Sequence, residues 1–302
     1  MLMVTGANGR FAQATIRELR GLAGPDVQIA VTTRDPRSAA ARQLAADGIE
    51  VRYADFAEPD TLVDAFAGVR KAIIVSTMAP NDKRLRLHSN AIDAAKASGV
   101  EHLAYTSFIH AGPNAITEHS RLVHYPTEER LKASGLSYTI LRHSLYAETL
   151  LDDLDRSLAT GVFRRPGGPV SAAYISRDDL GRSAAHVLVE DGHDGRTYSE
   201  TMSSTLSGEE IAAHLSEAAG RPIRYESMPS SAWPAYFAEV LGLPAAMLAS
   251  AGHTMRALEA GEFDLVSDDY ETVTGRPPMT FPEFLVGRVP RAGGSAPLAR
   301  ME

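Results

Sequence analysis

Three groups of residues in this chain have types and spacings that could do chemistry. The first is Gly6, Ala7, Asn8, Gly9, Arg10 and Phe11, where Gly6, Gly9 and Ala12 make a G-x-x-G-x-x-A spacing directly after the apolar run Leu2 to Thr5. From Phe11 to Leu22 the period becomes helical, with Phe11, Ile16, Leu19 and Leu22 recurring. Strand, glycine turn and helix in that order bring a helix N-terminus, with its unpaired N–H groups and partial positive charge, against a pyrophosphate. Gly6 would allow the tight turn, Gly9 would let backbone approach phosphate with no Cβ between, and Ala12 would let the helix pack close to the strand. The same spacing also fits an ordinary βα turn, so residues further along the chain must decide between the two.

The second group lies at the ends of later apolar runs. Val27 to Thr33 is followed by Arg34, with no acid where an NAD site uses a carboxylate for the ribose hydroxyls. Arg34 together with Arg10 suits a 2′-phosphate, so NADP(H) is expected in preference to NAD(H); two solvated surface arginines are the alternative. Asp55 is expected either near the adenine ring or as a helix cap before Pro59. Ser76 and Thr77, and Thr106 and Ser107, put small polar residues at the carboxyl edge of the expected sheet, where ribose and nicotinamide would lie.

The third group concerns proton transfer, and here a familiar device is missing. The usual Tyr four residues before a Lys, in which the ammonium lowers the Tyr pKa, has no counterpart in this chain. The corresponding region, Glu118 to Glu129, offers His124 with Glu128 or Tyr125 with Glu129; either puts a carboxylate where the ammonium should be, which raises a Tyr pKa. His124 is a candidate proton donor, a hydrogen-bonding partner of substrate or ribose, or a structural histidine. Pro126, as a helix start, would shift His124 onto the preceding loop. His110, His119 and His124 are not spaced as metal ligands, and no metal is expected.

These residues need positioning elements. Apolar runs at Ile49 to Tyr53, Lys71 to Thr77, His102 to Ser107 and Ser137 to Arg142 alternate with helical patterns at Ser38 to Asp47, Pro59 to Gly68 and Leu85 to Ser98, and with a helix ending near Gly135. Gly48, Gly68, Gly99 and Gly135 stand where each helix must stop. Helix-separated strands make a doubly wound parallel sheet of Rossmann type, an α/β fold covered on both faces. Beyond Arg142 the pattern predicts a helix over Leu145 to Leu158, a loop over Gly161 to Pro169 and a helix from a Ser176 cap to Glu190. It then predicts a strand at Thr197 to Glu200, a helix over Ser207 to Gly220 and a short strand at Ile223 to Glu226. Trp233 to Ala260 reads as helix broken at Gly242, Pro244 and Gly252. The expected division is a nucleotide-binding domain over 1–150, with a segment about 170–192 returning to it, a smaller α/β substrate domain over 151–286, and a disordered tail over 287–302.

Composition bounds the rest. The 302 residues are 44% hydrophobic and 23% charged, with a net charge of −8 and no cysteine. The acidic balance argues against a nucleic-acid surface, and the missing thiols exclude disulfides and thiolate chemistry. The chain enters its first strand at once and holds no long apolar run, so no signal peptide and no membrane span are expected, and a cytoplasmic location is allowed.

The segments VTGANG, TRDP, NAIDAAKASGVEHLAYTS, TEERLKASGLSYTILRHSLYAE, GHDGRTY and GEFDLVSDD resemble the NmrA-like branch of the atypical short-chain dehydrogenases, over Met1 to about Leu285. The resemblance implies a substrate cleft between the two domains, with Gly6 to Phe11 on the pyrophosphate and Arg34 on the 2′-phosphate. It also implies Val75 to Thr77 along the cofactor and the stretch Leu141, Arg142, His143, Ser144, Leu145, Tyr146 beside the nicotinamide. It matches His124 and Glu128 to a His and acid that replace the Tyr/Lys pair; Ala12, Pro126 and His143 depart from the family pattern. The expected activity is direct hydride transfer from NADPH to a quinone-like or dye-like acceptor, which needs alignment and a dry pocket more than acid–base help. Expected pocket residues are Met78, Phe108, His110, Tyr146 and Tyr174, with Trp233 or Tyr236 closing it, and His124 and Tyr146 as catalytic candidates. The alternatives are a non-catalytic NADP-binding redox sensor with a protein partner and a ketoreductase of a specialised pathway. A monomer or homodimer acting on a small aromatic molecule is expected.

Overall fold

Short apolar runs without polar alternation are stable as strands only where both faces are covered. The structure, a computed structural model, describes residues 1–241 and 245–291. In it β1 (Leu2–Val4), β2 (Ile29–Thr33), β3 (Glu50–Tyr53), β4 (Lys71–Ile74), β5 (His102–Phe108), β6 (Ser137–His143) and β10 (Arg196–Glu200) form a seven-stranded sheet in the order β10-β6-β5-β4-β1-β2-β3. Every pairing within it is parallel. Val4 sits between Val31 and Ile73, at the point where the strand order reverses and a doubly wound sheet opens a crevice.

Helices cover both faces. On one, α3 (Pro59–Phe66) and α4 (Asn81–Ala97) bury Leu62, Phe66 and Ile92 against Met3, Ile74 and Tyr105. On the other, α1 (Arg10–Leu22) and α7 (Arg177–Val189) bury Phe11, Ile16, Leu19, Leu180 and Leu188 against Val4, Val31 and Ile73. Each such side chain contributes about 1.5–3 kcal/mol on leaving water. The approach of α7 to α1 depends on Gly181, where a Cβ would lie 2.6 Å from the Ala14 carbonyl carbon and 2.7 Å from Thr15 N. Ser176 caps α7 as expected, accepting from Asp179 N at 3.0 Å.

A third cluster, with Phe163, Leu215, Phe263 and Phe284 fully buried, gathers the later elements. Here the structure corrects several expectations. Leu145 to Leu158 is not one helix: β7 (Leu145–Tyr146) pairs with β9 (Ser171–Ile175), a 3-10 turn follows over Ala147–Leu151, and only α6 (Leu154–Thr160) is α-helical. Gly161 to Pro169 is not all loop either, because β8 (Val162–Arg165) pairs with β12 (Arg224–Ser227). Both strands owe their conformation to partners far along the chain, and local pattern carries little trace of such pairing. β9 and β11 (Thr205–Ser207), also unread, pair with each other.

α8 (Gly208–Ala219) starts at a capping box made by Ser207 and Glu210. α9 (Trp233–Leu241) and α10 (Ala245–Glu259) replace the broken helix, but Gly252 does not break it. It lies inside α10 where a Cβ would come within 3.1 Å of Pro234 Cγ, so closeness to α9 explains that glycine. Gly242 and Pro244 lie outside the described residues, as do 292–302 of the expected tail. Residues 287–291 are described, and Val289 is buried in the third cluster, which removes them from that tail. α11 (Asp269–Thr274) and α12 (Phe281–Leu285) end the described fold. Among the described residues no helix is long and apolar enough to cross a membrane.

Candidate active site

The turn between β1 and α1 is tied from within. Gly6 has φ +72°, open to glycine alone without strain, and Gly9 could not carry a Cβ without coming 3.3 Å from Gly6 O. Ala7 N donates to Thr32 O at 2.8 Å, Gly9 N to Gly6 O at 2.9 Å, and Gln13 Nε2 to Ala7 O. No side chain caps α1 and no acid stands in its first turn, so its leading N–H groups and dipole face outward for an external anion. This bare cradle fits a dinucleotide pyrophosphate. Asn8, Arg10 and Arg34 are exposed beside it, and Asn8 Oδ1 accepts from Ser38 Oγ at 3.3 Å.

The sheet edge beyond it is shaped by hydroxyls. β4 ends at Ile74, and Thr5 Oγ1 accepts from Val75 N at 2.9 Å while Thr106 Oγ1 accepts from Ser76 N at 2.8 Å. Two side chains thus replace the ladder and let Val75 to Thr77 leave the sheet. Ser107 behaves differently: it is buried and donates to Glu128 Oε1 at 2.5 Å, while Arg142 donates to the same carboxylate from Nε at 2.9 Å and Nη2 at 2.5 Å. Glu128 therefore serves Ser107 and Arg142 and is not bonded to His124. Asp55 turns inward on its own loop, accepting from Ala57 N at 2.8 Å, and does not cap α3, whose N-cap is Glu58.

His124 is not on a loop. Pro126 occupies the first turn of α5 (Tyr125–Lys132), and a π-helical turn, Ser120–His124, runs straight into it, so His124 stands on continuous helical backbone. Both ring nitrogens of His124 are occupied: Nε2 lies 3.3 Å from Arg84 Nη2 and Nδ1 lies 2.9 Å from Tyr105 OH. Next to it, His88 Nε2 accepts from Thr77 N at 3.1 Å and Nδ1 faces Thr127 Oγ1 at 3.1 Å. A guanidinium and a backbone N–H can only donate, so both rings are neutral with the proton on Nδ1. Burial and the Arg84 charge hold His88 down at about 3 and His124 well below its ordinary value.

In front of this network opens a cleft of about 230 Å³. Phe108, Tyr146, Tyr174 and Trp233 form its aromatic walls, Leu145, Leu150, Met255 and Leu258 add aliphatic surface, and Asp152, Arg165 and Thr149 stand among them. Phe108 stacks on His124 with ring centroids 6.0 Å apart, so His124 lies behind the wall. Arg165 is over Trp233 at 4.7 Å and bonded to Asp153 at 3.1 Å; Arg177 is over Tyr146 at 4.4 Å. Three expected pocket residues lie off this wall. Met78 is 79% exposed, His110 takes φ +56° in the turn after β5, and Tyr236 stacks on Trp233 while donating to Asp153 Oδ2 at 2.7 Å.

The end of β6 joins cradle to cleft. Leu141 is buried in the sheet, Ser144 donates to Ala173 O at 2.7 Å and lines the cleft with Leu145, and His143 packs on Phe11 with centroids 5.1 Å apart. His143 Nδ1 is 3.2 Å from Tyr146 OH, and Nε2 is 3.4 Å from Glu200 Oε2. Burial lowers His143 to about 3 and raises Tyr146 to about 12. Sequence reading missed Arg84, His88, Tyr105 and Glu200. His88 and Tyr105 left a trace, polar groups within apolar periodic runs, but Glu200 left none.

The model of the NmrA-like family matches residues 1–284. The chain belongs to the NmrA-like family. Among its relatives, quinone oxidoreductase 2 of Escherichia coli (strain K12) is 34% identical over 94% of this chain and 96% of its own length. An NAD(P)H azoreductase of Xenophilus azovorans is 31% identical over 94% of this chain and 96% of its own. The crystal structure of the Citrobacter sp. triphenylmethane reductase complexed with NADP(H) superimposes with a TM-score of 0.88 at 28% identity, covering 96% of this chain and 100% of that one. The Rossmann-type sheet seen here is thus the sheet of NmrA-like reductases.

Proposed function

We propose that this NmrA-like protein is an NADPH-dependent reductase whose acceptor is a flat, electrophilic aromatic molecule of quinone or dye type. The observation that carries the reading is the placement of the aromatic cleft: its walls include Phe108, the last residue of β5, and Tyr146, the last residue of β7 just beyond β6, and His143 links Tyr146 to Phe11 at the start of α1. The relatives named as quinone and azo reductases support the acceptor class, and the NADP(H) complex of the Citrobacter enzyme supports the cofactor.

In this reading Gly6 to Phe11 hold the pyrophosphate and Arg34 the 2′-phosphate, while Val75 to Thr77 lie along the cofactor. The bound nicotinamide supplies a hydride. The chain supplies position and dryness: Phe108, Tyr174 and Trp233 sandwich a planar acceptor, exclude water and hold it near the sheet edge. No activated Tyr/Lys pair is needed, because a quinone or a cationic dye takes hydride without prior protonation.

Mixing the purified protein with NADPH and a benzoquinone, and recording NADPH absorbance by stopped flow, tests this directly. Multiple turnovers are expected, with a raised KM for the quinone in Trp233→Ala. Tight NADPH binding without turnover on any quinone or dye would support the sensor reading instead.

A further inference from the structure

Glu200 ends β10 with its side chain sealed from solvent and both carboxyl oxygens without a hydrogen-bond partner. A carboxylate left so is costly, whereas the protonated acid is tolerable and is a donor in need of an acceptor. The parallel register sets Glu200 opposite His143, whose Nε2, also buried and without a hydrogen-bond partner, lies 3.4 Å from Glu200 Oε2. The other nitrogen of that ring faces Tyr146 OH at 3.2 Å, and Tyr146 lines the cleft. A line of exchangeable protons thus runs from the sheet interior to the cleft.

We propose that Glu200, His143 and Tyr146 form a proton relay that protonates the acceptor once it has received hydride. The proposal rests on the reductase reading. The Tyr146 O–H bond breaks as an O–H or N–H bond forms on the reduced acceptor. His143 Nδ1–H then restores the Tyr146 hydroxyl, and the Glu200 proton moves to His143 Nε2. One proton leaves the protein, Glu200 becomes a carboxylate, and His143 ends as its other neutral tautomer. Water entering after product release returns the proton and resets the ring. Tyr146 is the catalytic residue; His143 and Glu200 are positioning residues that act through it.

The surroundings suit the role. Glu200 faces the Ser183 hydroxyl and Asp179 from α7 and Asp269 from α11; burial, aided by the two aspartates, pushes its carboxyl up to about 8 despite Ser183. Tyr146 faces Arg177, Glu148 and Arg84, and His143, kept neutral chiefly by burial, faces Arg177, whose charge adds to that effect.

The test compares wild type, Glu200→Gln and Tyr146→Phe with NADPH and para-benzoquinone across neutral to alkaline pH, alongside an infrared titration of the cofactor-free proteins. Wild-type kcat is expected to fall as pH rises through about 8. Glu200→Gln should lower kcat about tenfold and flatten that limb, and Tyr146→Phe should lower it about 100-fold, with KM for NADPH unchanged in both. A protonated-carboxyl band that disappears near pH 8 should be present in wild type and absent in Glu200→Gln. A wild type that oxidises no NADPH overturns the reductase reading and the relay with it. A wild type that turns over while Glu200→Gln reproduces its pH profile and its infrared band overturns the relay alone.

Discussion

Nη2 of Arg84 lies 3.3 Å from Nε2 of His124, and the titratable groups that act on this buried guanidinium are the phenols of Tyr105 and Tyr146. The same Nη2 donates to Ser76 Oγ at 2.8 Å. A buried cation with neutral partners lowers the pKa of every base near it, and His124 sits among the rings so affected. Held neutral and bonded at both nitrogens, His124 braces Arg84 and Tyr105.

His124→Ala is therefore expected to cost about 1–3 kcal/mol of stability, because it strips partners from a buried guanidinium and a buried phenol. It should leave the pH dependence of NADPH oxidation unchanged. Denaturant unfolding and a pH–rate profile measure the two effects. A loss of rate of about 100-fold with the fold intact would instead make His124 a proton donor.

Stability should pass through a maximum near neutrality. His88 and His143 are lowered to about 3 and His102 and His119 to about 4, so between those values and 6.5 the unfolded chain binds protons that the folded chain does not. Stability is then lost as pH falls below 6.5. Glu200 has the opposite sign: raised from 4.5 to about 8, it keeps a proton that the unfolded chain gives up, so stability declines as pH rises across that interval. Urea midpoints across pH should show both limbs, and Glu200→Gln should remove the alkaline one.

Gly181→Ala places a methyl 2.6 Å from the Ala14 carbonyl carbon, a backbone atom that cannot swing aside. Separating α7 from α1 should cost about 1–3 kcal/mol. Because the turn proposed to hold the pyrophosphate lies at the N-terminal end of α1, NADPH affinity should fall as well. Calorimetric titration beside urea unfolding checks the coupling; unchanged stability would show that the helices have room to spare.

Arg34 is exposed next to the cradle. Arg34→Ala is expected to weaken NADPH binding about 10–100-fold while leaving NADH within about twofold, since only the former carries the 2′-phosphate. Equal losses for the two nucleotides would show that Arg34 does not read that phosphate.

Residues 1–143 were legible to within a few positions because their signals are local. An apolar run buried on both faces, a helical period and a glycine at each helix end, such as Gly48, Gly68, Gly99 and Gly135 with φ between +72° and +82°, all lie within one βα unit. Beyond β6, β8 is extended because of β12 and β7 because of β9, so the conformation of each depends on a partner that no short window contains.

By itself the amino-acid order determined the doubly wound sheet, the bare cradle at Gly6 to Phe11, the arginine after β2 and the missing Tyr/Lys pair. Each of these depends on backbone sterics, on period or on the presence of a residue type. Only the tertiary structure decided which polar side chains meet. It sent Glu128 to Arg142, pinned His124 under Arg84, and brought Glu200 to His143, far apart in the chain, through a strand register. Protonation depends on burial and the nearest charge, and both exist only once the chain has packed.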